Sequence, residues 1–296
     1  MRAEGVVSFG SQMVPSQTGI LAVRSDDFSI KKETVKYKAI ITDLDGTAVN
    51  SPIEKRATKR LATAVAALDN LGVKVCAATG RAPTFAKPML ESMNLQDPAI
   101  VSGGTKIIDP KSGDDLWVCG LSKDQVSMIK QRLKGLSYGF LWNDSTEEDY
   151  LSGGWSLEAL DEIEDVYFFE VCFVPAAELE SVKSLLAGVE GVAVTVVVAQ
   201  KPETHDLHIT NSQATKEHAV YELEKIIGVD RSEMIGVGDG HNDLHLYNAV
   251  GYKVAMANAV PELKNAADKI IGDVVQDGLA EYFEELVREL KNEKVV

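Results

Sequence analysis

The chain carries only three cysteines in 296 residues, Cys76, Cys119 and Cys172, and no two of them form a Cys-x-x-Cys pair. That scarcity excludes a disulfide framework and argues against a structural zinc site. The thiols are expected to be buried and reduced in a cytoplasmic protein. The sequence also lacks any stretch near the roughly 20 apolar residues that a membrane span requires, so no membrane partner is expected. Positive charge is short as well: 30 Lys and Arg face 45 Asp and Glu, a formal net charge of -15. A nucleic-acid partner needs clustered cations against its phosphates, and the balance here runs the other way. A small phosphorylated metabolite remains open as a partner, because a metal ion and a local Lys can reverse the field inside one site.

What is present is a globular composition, 45% apolar, on a chain long enough for two domains. Residues 1–36 stand apart as an N-terminal extension: Ser, Gln and Gly punctuate them, and their longest apolar run, 19–23, is too short for a signal-peptide core. From about residue 37 apolar runs alternate with helical patterns. A strand over 35–42, an amphipathic helix over 54–71 ended by Gly72, a strand over 73–78 and another over 99–102 give the β-α-β rhythm of a parallel sheet. Between 105 and 204 the order changes to strand (115–119), helix (123–133), strand (138–142), acidic loop, strand (166–174), helix (176–186) and strand (192–198). That is a β-α-β-β-α-β unit. After residue 205 the first rhythm resumes with a helix over 216–227, a strand over 234–237, a helix over 243–249, a strand over 252–255 and helices over 260–267 and 279–290. The predicted architecture is therefore an α/β, doubly wound parallel-sheet core of residues 37–104 and 205–296, interrupted by an α+β cap of residues 105–204.

Four polar clusters fall at strand ends or helix starts of that core. Asp43 and Asp45 stand two apart where an apolar strand gives way to Gly46, and in an extended chain such residues point to one side. An Asp-x-Asp-Gly run is also what an ordinary Asx turn looks like. Two carboxylates so close resist ionising together unless a cation or a shared proton offsets them. Thr79, Gly80 and Arg81 follow the second strand, with a hydroxyl and backbone N–H groups suited to an anion. Lys216 opens a helix, and Gly238-Asp239-Gly240-His241-Asn242-Asp243 follows another strand and adds two carboxylates and an amide. Four acidic side chains from two strand ends can cage a hard divalent cation such as Mg²⁺.

Together these residues resemble the four ordered motifs of the haloacid dehalogenase (HAD) superfamily of phosphatases: Asp43-Leu44-Asp45-Gly46-Thr47, then Thr79-Gly80-Arg81, Lys216, and Gly238 to Asp243. The insertion between the second and third motifs resembles the Cof-like branch, and so does the run Val254-Ala255-Met256-Ala257-Asn258-Ala259 continuing through Pro261-Glu262-Leu263-Lys264 to Ala267-Asp268. The likeness covers residue 38 to the C-terminus. It implies a Rossmann-like HAD core and a phosphomonoester hydrolase in which Asp43 is the nucleophile and forms an aspartyl phosphate, while Asp45 is the general acid and base. It further implies Mg²⁺ bound by Asp43, the Asp45 backbone carbonyl and Asp239, with Asp243 binding through water or orienting Lys216. Thr79, Gly80, Arg81, Lys216 and Asn242 would hold the phosphoryl oxygens. Three positions depart from the pattern: Ser102-Gly103-Gly104 stands where Asn-Gly-Ala is common, Ala214-Thr215-Lys216-Glu217 replaces Ser-Lys-Gly, and Ala257 replaces a Gly. None removes a catalytic group.

Rival readings are weaker. A phosphomutase or phosphotransferase of the same superfamily would bind a second phosphate in the cap, yet Arg132 is the one Arg between residues 105 and 204. A dinucleotide-binding dehydrogenase is suggested by Gly236-x-Gly238-x-Gly240, but Asp239 in that loop would repel a pyrophosphate. A non-catalytic regulatory protein on this fold would have no need of the full catalytic set. The five His show no matched metal-ligand set, and Trp142, Tyr150 and Trp155 are candidates either for stacking on a sugar or for packing. The cap holds 8 Lys and Arg against 18 Asp and Glu. Such a lid is expected to favour a small monophosphate with a neutral or cationic body, foremost a sugar phosphate, over bisphosphates and polyphosphates.

Overall fold

The computed structural model describes residues 37–51, 53–143, 145–162 and 165–293. The N-terminal extension, residues 1–36, lies outside the described residues. In chain order the elements are β1 (Ala39–Thr42), α1 (Lys59–Asp69), β2 (Lys74–Ala78), α2 (Pro83–Ser92), β3 (Ala99–Val101), β4 (Lys106–Ile108), β5 (Asp115–Val118), α3 (Lys123–Leu133), β6 (Gly139–Trp142) and α4 (Glu147–Leu151). They continue as β7 (Phe168–Pro175), α5 (Leu179–Leu185), β8 (Val192–Val198), β9 (Thr204–Asn211), α6 (Lys216–Ile227), β10 (Met234–Gly238), α7 (Asp243–Ala249), β11 (Tyr252–Ala255), α8 (Pro261–Ala266), β12 (Lys269–Ile270) and α9 (Gly278–Glu293).

The core is one sheet in the order β12-β11-β10-β1-β2-β3-β4-β5, parallel from β12 to β3 and antiparallel beyond. Both faces are covered, which is why its central strands are almost wholly apolar, with Thr42 and Lys74 at strand ends. In β1, Ile40 packs with α1, α2 and α9 on one side, while Ala39 and Ile41 pack with α6 and α7 on the other. α1 begins at Lys59 rather than at 54 because the Thr58 hydroxyl accepts from the Leu61 backbone N–H at 3.1 Å. Its buried Leu61, Ala64, Val65 and Leu68 recur at helical spacing and lie against the amphipathic α9. The order in which strands are added to the sheet reverses between β1 and β10, the place where open α/β sheets bind ligands at their carboxyl ends. Cys76 and Cys172 are buried, Cys119 is half-buried, and all three are free.

The cap is a four-stranded antiparallel sheet, β6-β7-β9-β8, with α3 and α5 on one face. Two expected boundaries move. β5 was expected to open the cap, but it pairs with β4 on the edge of the core sheet, so the crossing into the cap falls after Val118. β9 was not expected as a strand; it lies between β7 and β8 in the cap, which therefore runs to Asn211 rather than to residue 204. Only Leu207 and Ile209 of its centre are apolar and face the cap core, so its pattern is that of a strand with one wet side. α2, β4 and β12 were likewise not bounded by the sequence pattern, each being short or broken by Pro88.

Gly46 and Gly72 have nearly the same backbone, φ 83° and 84°, but a Cβ on Gly46 would meet Asp239 Oδ2 at 2.2 Å whereas one on Gly72 would meet nothing within 4 Å. Gly72→Ala should therefore cost only the left-handed strain of about 1–2 kcal/mol. Gly46→Ala should cost at least about 3 kcal/mol, since packing conflict adds to strain. Urea unfolding of both variants measures the difference, and equal losses would mean that Asp239 turns aside freely.

Candidate active site

Lys216 sits at the first turn of α6, set there by Thr215, whose hydroxyl accepts from the His218 backbone N–H at 3.1 Å. Its side chain is 2% exposed and its Nζ donates to Asp43 Oδ1 and to Asp243 Oδ1, each at 2.6 Å. Asp43 follows β1 directly and its backbone N–H donates to the Val237 carbonyl, which holds it beside the end of β10. Asp243 is fully buried, and its second oxygen accepts the backbone N–H groups of Asp239 and Gly240 at 3.0 Å each. One carboxylate thus shapes the turn after β10 and anchors the ammonium. Asp239 is positioned from the other side by Thr47, whose hydroxyl donates to its Oδ1 at 3.0 Å.

Asp43, Asp239 and Asp243 each bring one oxygen within 4.8 Å of the others. Three carboxylates around one ammonium leave an excess of negative charge, and the all-oxygen donor set suits a hard divalent cation such as Mg²⁺. The strain shows in their protonation. Burial pushes the Asp43 carboxyl upward and Asp243 adds to this, while Lys216 pulls it back down. Burial likewise raises Asp239, to about 6, against the Thr47 hydrogen bond. Burial by itself would lower the Lys216 pKa, but Asp243 and Asp43 more than compensate and keep it a cation.

Asp45 does not join that cluster. β1 ends at Thr42, so Asp45 lies in the following turn, where strand alternation no longer aligns it with Asp43. Its carboxylate is clamped by Arg81: Nε lies 3.2 and 3.0 Å from the two oxygens, and one Nη lies 2.5 Å from Oδ1. The other Nη of Arg81 donates to the Glu54 carbonyl at 3.0 Å. Arg81, expected to meet the substrate phosphoryl group, thus pairs with Asp45 while also lining the cavity described below. Thr79 is fully buried and its hydroxyl oxygen accepts the Arg81 backbone N–H at 3.1 Å, leaving its own proton available. Gly80 and the exposed Asn242 stand at the mouth.

A cavity of about 770 Å³ opens between these strand ends and the cap sheet. Asp45, Gly80, Arg81, Ser102, Gly103, Lys216 and Asn242 line it from the core, and Phe168, Ala193, Thr195, Val197, His208 and Thr210 from the cap. Sequence reasoning missed the cap wall because β9 was not recognised; the alternation His208-Ile209-Thr210 was the available signal. It also missed the contortion of Ser102, a buried non-glycine residue at φ 49° on the cavity rim. Trp142, Tyr150 and Trp155 do not line the cavity: the two Trp rings lie 6.5 Å apart, and the buried Tyr150 donates to Asp206 at 2.7 Å. Asp149 does not line it either; its carboxylate accepts the Thr146 backbone N–H at the start of its own short helix.

The sequence matches the haloacid dehalogenase-like hydrolase family over residues 40–154 and 158–283. The chain belongs to that family. It is 25% identical over 246 residues to the phosphoglycolate phosphatase of Archaeoglobus fulgidus, covering 83% of this chain and 95% of the relative. It is 24% identical over 262 residues to the 5-amino-6-(5-phospho-D-ribitylamino)uracil phosphatase YcsE of Bacillus subtilis, covering 85% and 96%. Among solved structures, a haloacid dehalogenase-like hydrolase from Bacteroides thetaiotaomicron superposes with a TM-score of 0.70 at 25% identity, over 85% of this chain and 100% of that one. The chain is a phosphatase of the HAD superfamily, and no described helix is long and apolar enough to cross a membrane.

Two stability predictions follow from the burial of charge. Lys216→Met strands the two buried carboxylates it pairs with, Asp43 and Asp243, and should cost about 3–5 kcal/mol near neutral pH, the range for breaking a buried pair. The loss should shrink at pH 5, where Asp43, whose carboxyl burial raises, takes up a proton; urea midpoints at pH 5 and 8 check this. Separately, burial and then the charge of Asp206 raise Glu170 in the cap to about 8. Between the ordinary carboxylate range and pH 8 the folded cap holds a proton that the unfolded chain has released, so stability should fall as pH rises through that window. Melting curves should show the fall in the wild type and a flatter profile in Glu170→Gln.

Proposed function

We propose that this phosphatase is a Mg²⁺-dependent phosphomonoester hydrolase that works through an aspartyl phosphate on Asp43 and acts on a small phosphorylated metabolite, a sugar phosphate. The observation that carries the mechanism is the contact of Lys216 with a single oxygen of Asp43. Oδ1 is pinned and neutralised, while Oδ2 is left for attack on phosphorus, forming one O–P bond as the ester O–P bond breaks. Asp45, two residues on and at the cavity mouth, is the group to protonate the departing alkoxide and then to take a proton from the water that hydrolyses the acyl phosphate. Its clamp on Arg81 must loosen as it takes up the proton it donates. The Thr79 hydroxyl, the Gly80 N–H, the Asn242 amide and Lys216 would hold the phosphoryl oxygens. Mg²⁺ held by Asp43, Asp239 and the Asp45 backbone carbonyl, with Asp243 beside them, would supply the charge that offsets repulsion between nucleophile and phosphate.

Substrate class rests on the cavity. Its volume of about 770 Å³ is several times that of a two-carbon acid, and its cap wall holds hydroxyls, an imidazole and apolar groups rather than Lys or Arg. Among the described residues, that wall offers no Lys or Arg to a second charge of a phospho-acid or bisphosphate; Arg81, Lys216, His241 and His245 line the core side. Arg132, the residue a mutase reading would need, donates instead to the Leu185 carbonyl on the helical side of the cap.

Purified protein should hydrolyse a generic aryl phosphate with Mg²⁺, lose activity in excess chelator, regain it with Mg²⁺ and be inhibited by Ca²⁺, whose looser shell does not impose octahedral positioning. Asp43→Asn should abolish turnover and Asp45→Asn should be severe. Wild-type rates in Asp43→Asn, or failure to trap a radiolabelled phosphoryl group on the enzyme, would sink the mechanism, and full activity in chelator would sink the metal.

A further inference from the structure

The cap sheet turns toward the catalytic strand ends a set of hydrogen-bonding groups that the protein leaves unused. Its three adjacent strands place Glu170, His208 and Thr195 in one cross-strand row, and Phe168, Thr210 and Ala193 in the next. Neighbours within a row are about 4.8 Å apart, and rows on one face are about 7 Å apart. Parity sends Val171, Leu207, Ile209 and Val194 to the opposite, helix-covered face, so the orientation of these rows is fixed by the cap core itself. Five of the six residues line the cavity, and Glu170 lies behind His208, its Oε2 3.8 Å from Nε2. Among the described residues, the hydroxyls of Thr195 and Thr210 and the ring nitrogens of His208 make no hydrogen bond within the protein.

The chemistry of this wall is selective. Burial lowers His208 to about 4, so its imidazole is neutral and offers one donor and one acceptor. Its ring meets Phe168 edge-on at 4.8 Å, which fixes its plane. Each threonine hydroxyl likewise gives and accepts. A carboxylate or second phosphate would face no cation here, and a purely apolar body would strand three polar groups. A ring carrying adjacent hydroxyls on one side and C–H groups on the other satisfies both the polar set and the Phe168 face.

We propose that Thr195, His208 and Thr210, beside Phe168, form the subsite that reads the hydroxyls of a carbohydrate body, and so determine the specificity of the phosphatase. This rests on the phosphomonoesterase reading and adds to it the residues that choose the ester.

The full chain is assayed with Mg²⁺ on a panel of hexose and pentose monophosphates and on n-hexyl phosphate, a primary ester with no further hydroxyl. The wild type should prefer its best sugar phosphate over hexyl phosphate by at least about tenfold, and each of Thr195→Val, Thr210→Val and His208→Asn should lower that ratio about three- to tenfold, what one neutral hydrogen bond is worth. The change should fall mainly on KM. In an Asp43→Asn background, calorimetry should show the same substitutions weakening the binding of that sugar phosphate. Parallel losses on both esters, an unchanged ratio, or a phosphoglycolate or nucleotide as best substrate would overturn the subsite while leaving the hydrolase standing. No turnover of any ester, aryl phosphate included, would instead remove the hydrolase reading, and the subsite would then stand or fall on the calorimetry.

Discussion

Everything at the catalytic end of this molecule depends on one buried ammonium. Lys216 bonds Asp43, 173 residues away in sequence, and Asp243, 27 residues away, and both bonds are short and shielded from water. Removing charges from water is costly, and attraction repays it only when geometry is good and the remaining lone pairs are satisfied. Asp243 meets that condition, its second oxygen taking two backbone N–H groups, while Asp43 is held beside the end of β10 by its backbone N–H and keeps Oδ2 open to the cluster. The same three residues join β1, α6 and the turn after β10, so contacts that shape the site also tie elements of the core together.

Around that pair the core and the cap divide the chemistry. The core presents charge: three clustered carboxylates, a Lys, and an Asp45 clamped by Arg81. The cap presents neutral groups on a sheet whose other side is a closed apolar core. One cavity therefore has a charged wall from the core and a neutral wall from the cap. Overall acidity matters little inside it, because exposed charges are screened over about 8–10 Å at physiological salt.

The sequence made the core legible because its strands are buried on both faces and its motifs fall at their ends. Asp43, Thr79, Lys216 and Asp239 stand where β1, β2, α6 and β10 begin or end, and the 3.6-residue periodicity of α1 and α9 identified the helices that cover them. Short elements escaped: three-residue β4 and two-residue β12 carry too few positions for a period to show. β9 escaped for a different reason. Its wet face looks like loop composition until one knows that it lines a cavity.

What the sequence alone determined is the chemistry available: which carboxylates, which lysine and which hydroxyls exist, and the order of strands and helices that brings the motifs to one edge of a parallel sheet. Local pattern suffices for that, because burial on two faces and helical amphipathicity are written in neighbouring residues. Only the tertiary structure decided how these groups pair. Asp43 and Asp45, two residues apart, part company because β1 stops at Thr42, and one goes to Lys216 while the other goes to Arg81. Likewise β5 joined the core and β9 the cap, since strand partners are chosen by long-range register and packing that no short window of sequence contains.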